Sequence, residues 1–414
     1  MTTAHKPSAL SHIKVLDLSR VLAGPWCTQM LADLGADVVK VERPIVGDDT
    51  RHWGPPFLKD VQGRESKHAS YFTACNRNKR SITIDISRPE GQKIIREMAV
   101  KSDVLVENFK VGGLSQYGLD YASLREINPR LVYCSVTGFG QDGPYAERAG
   151  YDLMVQAMSG MMSITGTAEG GPQRVGVALI DLFTGVYACS AILAAIEARN
   201  HTGKGQHIDM GLLDVGMAIL ANQAAGFLNT GLVPQRQGNS HPSLVPYQDF
   251  VTSDGAMLLA IGNDGQFARF CEAAGKPEWA QDPRFSSNAQ RVRHRELLST
   301  LLTEVTCKRS TAQWIALLED KAVPCGPIND IGQAFSDPQV RARNLAIRQP
   351  LASNIIGQTQ IDEITTVASP MRLSDTPVVV KRAPPMLGEH TDEVLLSLGL
   401  DQVSIANLRA IGVV

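Results

Sequence analysis

The chain has 414 residues, of which 43% are hydrophobic, 20% are charged and 6% are aromatic. A chain of this length can bury a large core, and we expect two or more domains. The formal net charge is −2, which gives no overall attraction to nucleic acid or to an anionic membrane surface, so neither is expected as a partner.

The cysteines and the N-terminal residues indicate the compartment. The seven cysteines are scattered, and none belongs to a CxxC motif or to a Cys/His cluster with metal-ligand spacing, so neither a metal site nor a disulfide framework is predicted. The first residues lack the apolar core of a signal peptide, and no apolar run reaches membrane-spanning length. We expect a reduced, cytoplasmic protein; a location in the mitochondrial matrix would require a eukaryotic presequence that had been removed.

The first part of the chain alternates strand-like and helix-like segments. The strand candidates Ile13–Leu18 and Asp37–Glu42 flank a helix that Pro25 can open and Gly35 can end. The pattern recurs at SITIDI, DVLVEN and LVYCSVTGFG. It predicts an α/β fold with a doubly wound, parallel, Rossmann-like sheet, whose ligands bind beyond the carboxyl ends of the strands. GxGxxG and GxxxxGK[ST] motifs are missing, which argues against a nicotinamide or nucleoside triphosphate site.

The composition changes in the middle of the chain. A stretch rich in Pro, Gly, Asn and Ser precedes two short strand candidates, YQDFVT and AMLLAI, and a polar helical region follows them. The predicted organisation is a large Rossmann-like domain at 1–215, a linker at 216–245, a smaller α+β domain at 246–332, and a return linker with the C-terminal part of the large domain at 333–414.

One carboxylate lies between two apolar segments. In RVGVALIDLFTGVYACSAILAAIEARN, a strand is predicted at Val175–Ile180 and a helix at Leu182–Ile196, and Asp181 lies at the junction. Asp181 is either a helix cap or a nucleophile that partial burial makes more reactive and that the helix dipole keeps ionised. Gly176 and Gly185 on either side would let a bulky ligand approach it closely.

Three other features leave two interpretations open. Asp152, in GYDLMVQAMSG, is a second helix cap or takes a direct part in the chemistry. The basic cluster Asn76–Arg80 is a solvated face or an anion site, in which Arg77 would be the ligand. His241, beside a proline in GNSHPSLVPYQ, is a structural loop residue or contacts a ligand.

Together these motifs resemble those of the family III coenzyme A (CoA) transferases, of the CaiB/BaiF type. The resemblance rests on VLDLSRVLAGPWCTQMLADLGADVVKVE, NRNKRSITIDI, DVLVENFKVGG, YCSVTGFGQDGPY, GVALIDLFTG, TGKGQHIDM and RAPPMLGEHTDEVL, which span nearly the whole chain. It implies that the large domain binds CoA and that the protein is an interlocked homodimer. It also implies that CoA is the substrate and acyl carrier, with no metal and no tightly bound cofactor.

The same resemblance assigns site residues. The catalytic aspartate falls on Asp181. The positions that match CoA contacts are Arg20, Val21, Leu22, Ala23, Arg43, Ile84, Asn108, Phe109, Thr137, Gly138, Phe139 and Gly140. One position departs from the family pattern, because Gln116 stands where relatives often have an arginine that contacts a CoA phosphate.

The substrates are also expected from the resemblance. Racemases of the family carry a catalytic histidine where this chain has Tyr151, and a phenol with a pKa near 10 is a poor base at neutral pH, so a transferase is favoured. The loop GNSHPSLVPYQ resembles that of the succinyl-CoA transferases that act on glutarate. We expect transfer from an acyl-CoA, succinyl-CoA, to a carboxylic acid, with Arg51, Arg77 and His241 binding the second carboxylate of a dicarboxylate. The alternatives are an acyl-CoA racemase and a non-catalytic CoA-binding relative.

Overall fold

A computed structural model describes residues 8–351, 355–356 and 359–414. The described chain forms two compact units. The larger unit contains the described residues of 1–161, 175–225 and 343–414, and the smaller unit contains 162–174 and 226–342.

The strands, in chain order, are β1 Lys14–Asp17, β2 Asp37–Glu42, β3 Phe57–Lys59, β4 Glu65–Ala69, β5 Lys79–Thr83, β6 Val104–Glu107, β7 Val132–Thr137, β8 His207–Gly211, β9 Tyr247–Val251, β10 Ala256–Ala260, β11 Cys325–Pro327, β12 Ala346–Pro350, β13 Ile355–Ile356, β14 Thr359–Gln360 and β15 Glu363–Val367.

The α-helices are α1 Ala23–Asp33, α2 Ser70–Thr73, α3 Pro89–Val100, α4 Tyr121–Ile127, α5 Asp152–Met158, α6 Met161–Ile164, α7 Leu179–Thr202, α8 Leu212–Ala218, α9 Ala221–Thr230, α10 Asp264–Ala273, α11 Asn288–Arg293, α12 Arg295–Thr306, α13 Thr311–Asp320, α14 Ile331–Ser336, α15 Pro338–Ala342, α16 Thr391–Leu398 and α17 Gln402–Ala410. Short 3-10 turns lie at Asp49–Arg51, Ser115–Tyr117 and Pro277–Ala280.

The larger unit is built on a six-stranded sheet in the order β5-β2-β1-β6-β7-β8. Every neighbouring pair of strands is parallel. This is the strand order of a Rossmann-like sheet, so the predicted α/β class is confirmed. The central strands β6 and β7 are wholly buried, as parallel strands covered on both faces must be.

Alternate strand residues belong to two separate cores. Val15 and Cys134 pack with α1 and α7 on one face of the sheet. Leu16 and Tyr133 pack with α3, α4, α16 and α17 on the other face. The sheet is therefore doubly wound, and the C-terminal helices complete one of its layers.

Helix α7 is the long apolar helix of the first core. By length and composition alone it could cross a membrane, but core helices of folded proteins share this pattern, and α7 packs along α1 and β7. Gly185 is the point of closest approach to α1, because a Cβ there would lie 2.8 Å from the carbonyl oxygen of Ala23. Gly185 therefore serves helix packing, whereas the sequence suggested room for a ligand.

The smaller unit has a core of its own. The antiparallel strands β9, β10 and β11 form a three-stranded sheet. Phe267, Phe270, Leu302 and Trp314 from α10, α12 and α13 pack into one cluster with it. Helix α13 begins with a capping box in which Ser310 and Gln313 satisfy each other's backbone amides.

The boundaries of the units differ from the predicted domain boundaries. The segment predicted as a linker, 216–245, is helical in α8 and α9 up to Thr230. The smaller unit also includes 162–174, which lies fifty residues or more from the rest of it in the chain. Local composition carries no signal for such a contact between distant segments, so sequence patterns did not reveal it.

Candidate active site

The carboxyl edge of the six-stranded sheet collects the residues predicted to contact CoA. The chain order reverses between β1 and β6, which makes this point the topological switch of the sheet and the expected ligand crevice. Each predicted contact follows the end of a strand. The residues are Arg20–Ala23 after β1, Arg43 after β2, Ile84 after β5, Asn108 and Phe109 after β6, and Thr137–Gly140 at the end of β7. All of these positions lie along one edge of one sheet.

Two arginines bring positive charge to this edge. The Arg20 guanidinium donates to Asp49 at 2.7 Å, and Arg43 lies 3.5 Å from the other oxygen of the same carboxylate. The two arginine side chains are 53% and 61% exposed, so a ligand can reach both. Two cations and one carboxylate leave a net positive charge, which suits the phosphate groups of CoA.

Asn108 joins the loops that follow β1 and β6. Its Oδ1 accepts from the Arg20 amide at 3.0 Å, and its Nδ2 donates to the Arg20 carbonyl at 2.8 Å. The next amide, that of Phe109, donates to Glu107 at 2.7 Å. Burial raises the pKa of Glu107 to about 7, although this hydrogen bond and one from Ser135 oppose the rise. The loop after β6 is therefore fixed by the hydrogen bonds of Asn108 to Arg20 and of Phe109 to Glu107.

Asp181 lies in the first turn of α7, which begins at Leu179. The strand predicted at Val175–Ile180 was wrong, because residues 175–178 form no strand and Ile180 is already helical. Periodicity cannot distinguish such a short apolar run from the start of a buried helix. Asp181 is not the cap of its helix either, since the N-cap position is Ala178.

A carboxylate from another helix caps α7. Oδ1 of Asp152, the first residue of α5, accepts from the amides of Ile180 at 2.8 Å and of Asp181 at 3.3 Å. Its Oδ2 accepts from Gln156 at 2.6 Å, and Gln156 in turn accepts from the Val175 amide at 2.9 Å. Asp152 thus satisfies the first amides of α7, and the Asp181 carboxylate is not required for capping.

The surroundings of Asp181 disfavour its charged form. Burial, and then the negative charge of Asp152, raise the pKa of Asp181 to about 7. The helix dipole was expected to keep this carboxylate ionised, but desolvation and the like charge outweigh it. A carboxylate that titrates near neutral pH because of burial and a specific charged neighbour is typical of functional sites.

The first turns of α7 lie beside the predicted CoA loop. Gly185 is one helical turn after Asp181, on the same face of α7, and it packs against the carbonyl of Ala23 at the start of α1. Because α7 leads back to the start of β8, its N-terminus lies at the carboxyl edge of the sheet. Asp181 is therefore on the same edge as the predicted CoA contacts.

Tyr71 senses the charge of Asp181, and the sequence analysis did not name it. Burial, and then the negative charges of Asp181 and Asp152 among other groups, raise the pKa of Tyr71 to about 12. It belongs to α2, a helix of only four residues, and packs edge-on against Trp53. No periodic pattern marks so short an element, and only the position just before the basic cluster could have drawn attention to it.

Two of the three residues predicted to bind the acceptor are occupied by structural contacts. Arg51 donates to both oxygens of Glu42 at 2.7 Å, and it is buried. Arg77 is buried in the same way against both oxygens of Asp33 and also donates to the carbonyl of Val367. Both guanidinium groups are paired with buried carboxylates, which favours structural roles for Arg51 and Arg77. Their contact with a substrate stays a prediction.

His241 and Gln116 keep open roles. His241 lies in the smaller unit, where its Nδ1 accepts from the Ser243 amide at 3.0 Å and its ring lies 5.2 Å from that of Tyr247. Its contact with a substrate stays a prediction. The Gln116 side chain donates to the carbonyl of Gly113 at 3.0 Å in an exposed turn. Within the described ranges, no three His, Cys, Asp or Glu side chains come together as a metal site.

One edge of a parallel α/β sheet thus carries exposed arginines and a carboxylate of raised pKa. Residues 10–391 match the model of CoA-transferase family III, and the chain belongs to this family. It is therefore a CoA-transferase, with CoA as substrate and carrier. The predicted family is confirmed.

Similar proteins support the same class. The chain is 49% identical over 389 residues to the succinate–glutarate CoA-transferase of Agrobacterium fabrum, covering 94% of this chain and 95% of that protein. It is 43% identical over 406 residues to the human succinyl-CoA:glutarate CoA-transferase, covering 98% and 90%. A crystal structure of a CaiB/BaiF family protein from Brucella suis matches with a TM-score of 0.83 at 47% identity, covering 95% of this chain and all of that one. The racemase and non-catalytic alternatives find no support here.

The substitution Asp152→Asn tests the electrostatic coupling of the two carboxylates. It removes the negative charge beside Asp181 but keeps an oxygen that can cap α7, so the pKa of Asp181 should fall. If Asp181 reacts as the ionised carboxylate, the acid limb of kcat/KM for the acyl-CoA donor should move to lower pH. An acid limb that does not move, in a variant with unchanged circular dichroism, would show that Asp152 does not control this pKa.

Proposed function

We propose that the protein transfers CoA from succinyl-CoA to a dicarboxylic acid such as glutarate, with Asp181 as the covalent nucleophile. The observation that carries the mechanism is the position of Asp181, a carboxylate of raised pKa one helical turn from the contact between Gly185 and Ala23. The substrates are supported by the relatives from Agrobacterium fabrum and humans, whose names specify succinate or succinyl-CoA and glutarate.

In the first half-reaction, the ionised Asp181 attacks the carbonyl carbon of the donor thioester. The C–S bond breaks, CoA leaves as a thiolate, and the donor acyl group is joined to Asp181 as a mixed anhydride. The thiolate then attacks the aspartyl carbonyl of the anhydride and expels the donor as a carboxylate, which leaves an aspartyl-CoA thioester. The energy of the thioester is conserved because water takes part in neither step.

The second half-reaction reverses these steps with the acceptor. The acceptor carboxylate attacks the aspartyl thioester, CoA leaves again as a thiolate, and a second anhydride forms. The thiolate attacks the acceptor carbonyl of this anhydride, which gives the new acyl-CoA and returns the Asp181 carboxylate. The raised pKa of Asp181 bears on the first half-reaction, because a partly desolvated carboxylate is a stronger nucleophile than a solvated one.

A homodimer is part of the proposal, and its interlocked form is implied by the family resemblance. Several large apolar side chains of the larger unit are exposed near the proposed site. On α7, Phe183 and Tyr187 are 41% and 44% exposed, and on or beside α5, Tyr151 and Leu153 are 67% and 53% exposed. A cluster of such residues is typical of a protein–protein interface, and a second copy of the chain is the partner we propose.

Exchange assays with a panel of acids test the proposed reaction. With succinyl-CoA as donor, glutarate, malate, citramalate and itaconate should be converted to their CoA thioesters, whereas carnitine and monocarboxylates of matched length should react much more slowly.

Asp181→Ala should lose turnover by several orders of magnitude, because the nucleophile is gone.

The control for that variant is Asp401→Ala. Asp401 is a true helix cap, since its side chain accepts from the Ser404 amide at 2.8 Å at the start of α17. Its loss should lower the melting temperature slightly and leave turnover intact. Equal rates with monocarboxylates would refute the dicarboxylate assignment, and near-native turnover of Asp181→Ala would refute the mechanism.

Light scattering tests the dimer. The measured mass should be about twice the chain mass of 44.8 kDa. It should not fall on dilution, because interlocked chains cannot separate without unfolding. Tyr187→Glu should place a charge in the interface and reduce the yield of soluble dimer. A mass of one chain at micromolar concentration would refute the proposed assembly.

A further inference from the structure

In the loop between β1 and α1, three consecutive residues have all their backbone amides and carbonyls hydrogen-bonded to side chains. The amides and carbonyls of Ser19, Arg20 and Val21 all have such a partner, at 2.7–3.6 Å. The partners are Asp17, Asn108, Lys40, Asp48 and Cys75. This loop therefore makes no use of regular secondary structure, and its shape is set by residues from elsewhere in the larger unit.

Val21 has a backbone conformation that its side chain disfavours. Its φ angle is +71°, in the left-handed region that glycine adopts readily and β-branched residues avoid. Such a conformation persists where the surrounding structure fixes it, and it is concentrated at ligand-binding sites. The contact that fixes it is the Asp48 carboxylate, which accepts from the Val21 amide at 3.2 and 3.3 Å.

Asp48 is itself held firmly as an ion. Its Oδ2 lies 2.9 Å from the Lys40 ammonium, and neither side chain is exposed. Its Oδ1 accepts from the amide and hydroxyl of Thr50 at 3.0 and 2.7 Å. Burial alone would raise the pKa of Asp48, but Lys40 and Thr50 lower it to about 2. Lys40 also donates to the Ser19 carbonyl at 2.7 Å, so one ion pair controls both ends of the loop.

We propose that Asp48 is a positioning residue for CoA: its buried carboxylate, paired with Lys40, holds Val21 in the left-handed conformation and so shapes the loop Ser19–Leu22 before the ligand arrives. The inference rests on the proposed function, in which this loop lies along CoA. A loop ordered in advance loses little conformational entropy on binding, so its effect is on affinity for CoA. Once CoA is bound, the chemistry at Asp181 does not need Asp48.

The test is Asp48→Asn in the full chain. The dissociation constant of free CoA, measured by calorimetry, and the KM of succinyl-CoA should each rise about tenfold, as expected when one loop residue must be ordered on binding. The KM of glutarate and the kcat should change less than about threefold, because the later steps do not depend on ordering this loop. An unchanged dissociation constant for CoA would overturn the proposal.

A second substitution isolates the role of Val21. Glycine adopts a φ of +71° without strain, so Val21→Gly combined with Asp48→Asn should recover part of the lost CoA affinity. If the double variant binds CoA no better than Asp48→Asn, the proposed role of the Val21 conformation is wrong. Should Asp48→Asn not fold, Thr50→Val removes a single hydroxyl donor to Asp48 and should also weaken CoA binding.

The control is another buried ion pair of the larger unit. Asp33 is as buried as Asp48, and its side chain accepts from Arg77 and Asn78, which lie outside the loop. Asp33→Asn should lower the melting temperature without changing the dissociation constant of CoA. If it weakens CoA binding as much as Asp48→Asn does, the effect is general destabilisation and the inference fails. If the unaltered protein does not bind CoA, the proposed function fails instead.

Discussion

The hydrogen bonds from the amides of Ile180 and Asp181 to the Asp152 carboxylate determine where Asp181, the proposed nucleophile, lies. They fix the start of α7, and α7 in turn packs against α1 through Gly185. The arrangement has an electrostatic consequence, because the residue that caps the helix also places a negative charge beside the Asp181 carboxylate. The pKa of Asp181 is therefore raised by burial first and by its own supporting residue second.

Two buried Lys–Asp ion pairs lie close to the loops that follow β1 and β2. Lys79 is paired with Asp17 at 3.1 Å and Lys40 with Asp48 at 2.9 Å, with no exposed side-chain surface in either pair. Removing one partner of such a pair costs about 3–5 kcal/mol, because the other charge is left buried alone. The pair of Lys79 with Asp17 and that of Arg77 with Asp33 explain why these members of the basic cluster Asn76–Arg80 face inward. The pair of Lys40 with Asp48 shapes the loop after β1, and Arg20 and Arg43 are exposed at the same edge.

The parts of the fold that sequence could predict are those with local signals. The strand predicted at Asp37–Glu42 matches β2, because three valines within six residues after a glycine favour a strand. The family motifs assign the catalytic role to Asp181, and this assignment stays a prediction. Contacts between distant segments could not be predicted: the pairing of Arg77 with Asp33 spans 44 residues, and the capping of α7 by Asp152 spans 28. The conformation of Val21 also has no sequence signal, because valine gives no warning of a positive φ angle.

The central claim is that Asp181 carries the acyl group and then CoA during the reaction. The most direct measurement is incubation with succinyl-CoA in the absence of acceptor, trapping with hydroxylamine, and mapping of the modified peptide by mass spectrometry. A hydroxamate should form on Asp181 and on no other carboxylate. No hydroxamate should form when the donor is omitted. A hydroxamate on Asp152, or continued CoA exchange with no modified carboxylate, would contradict it.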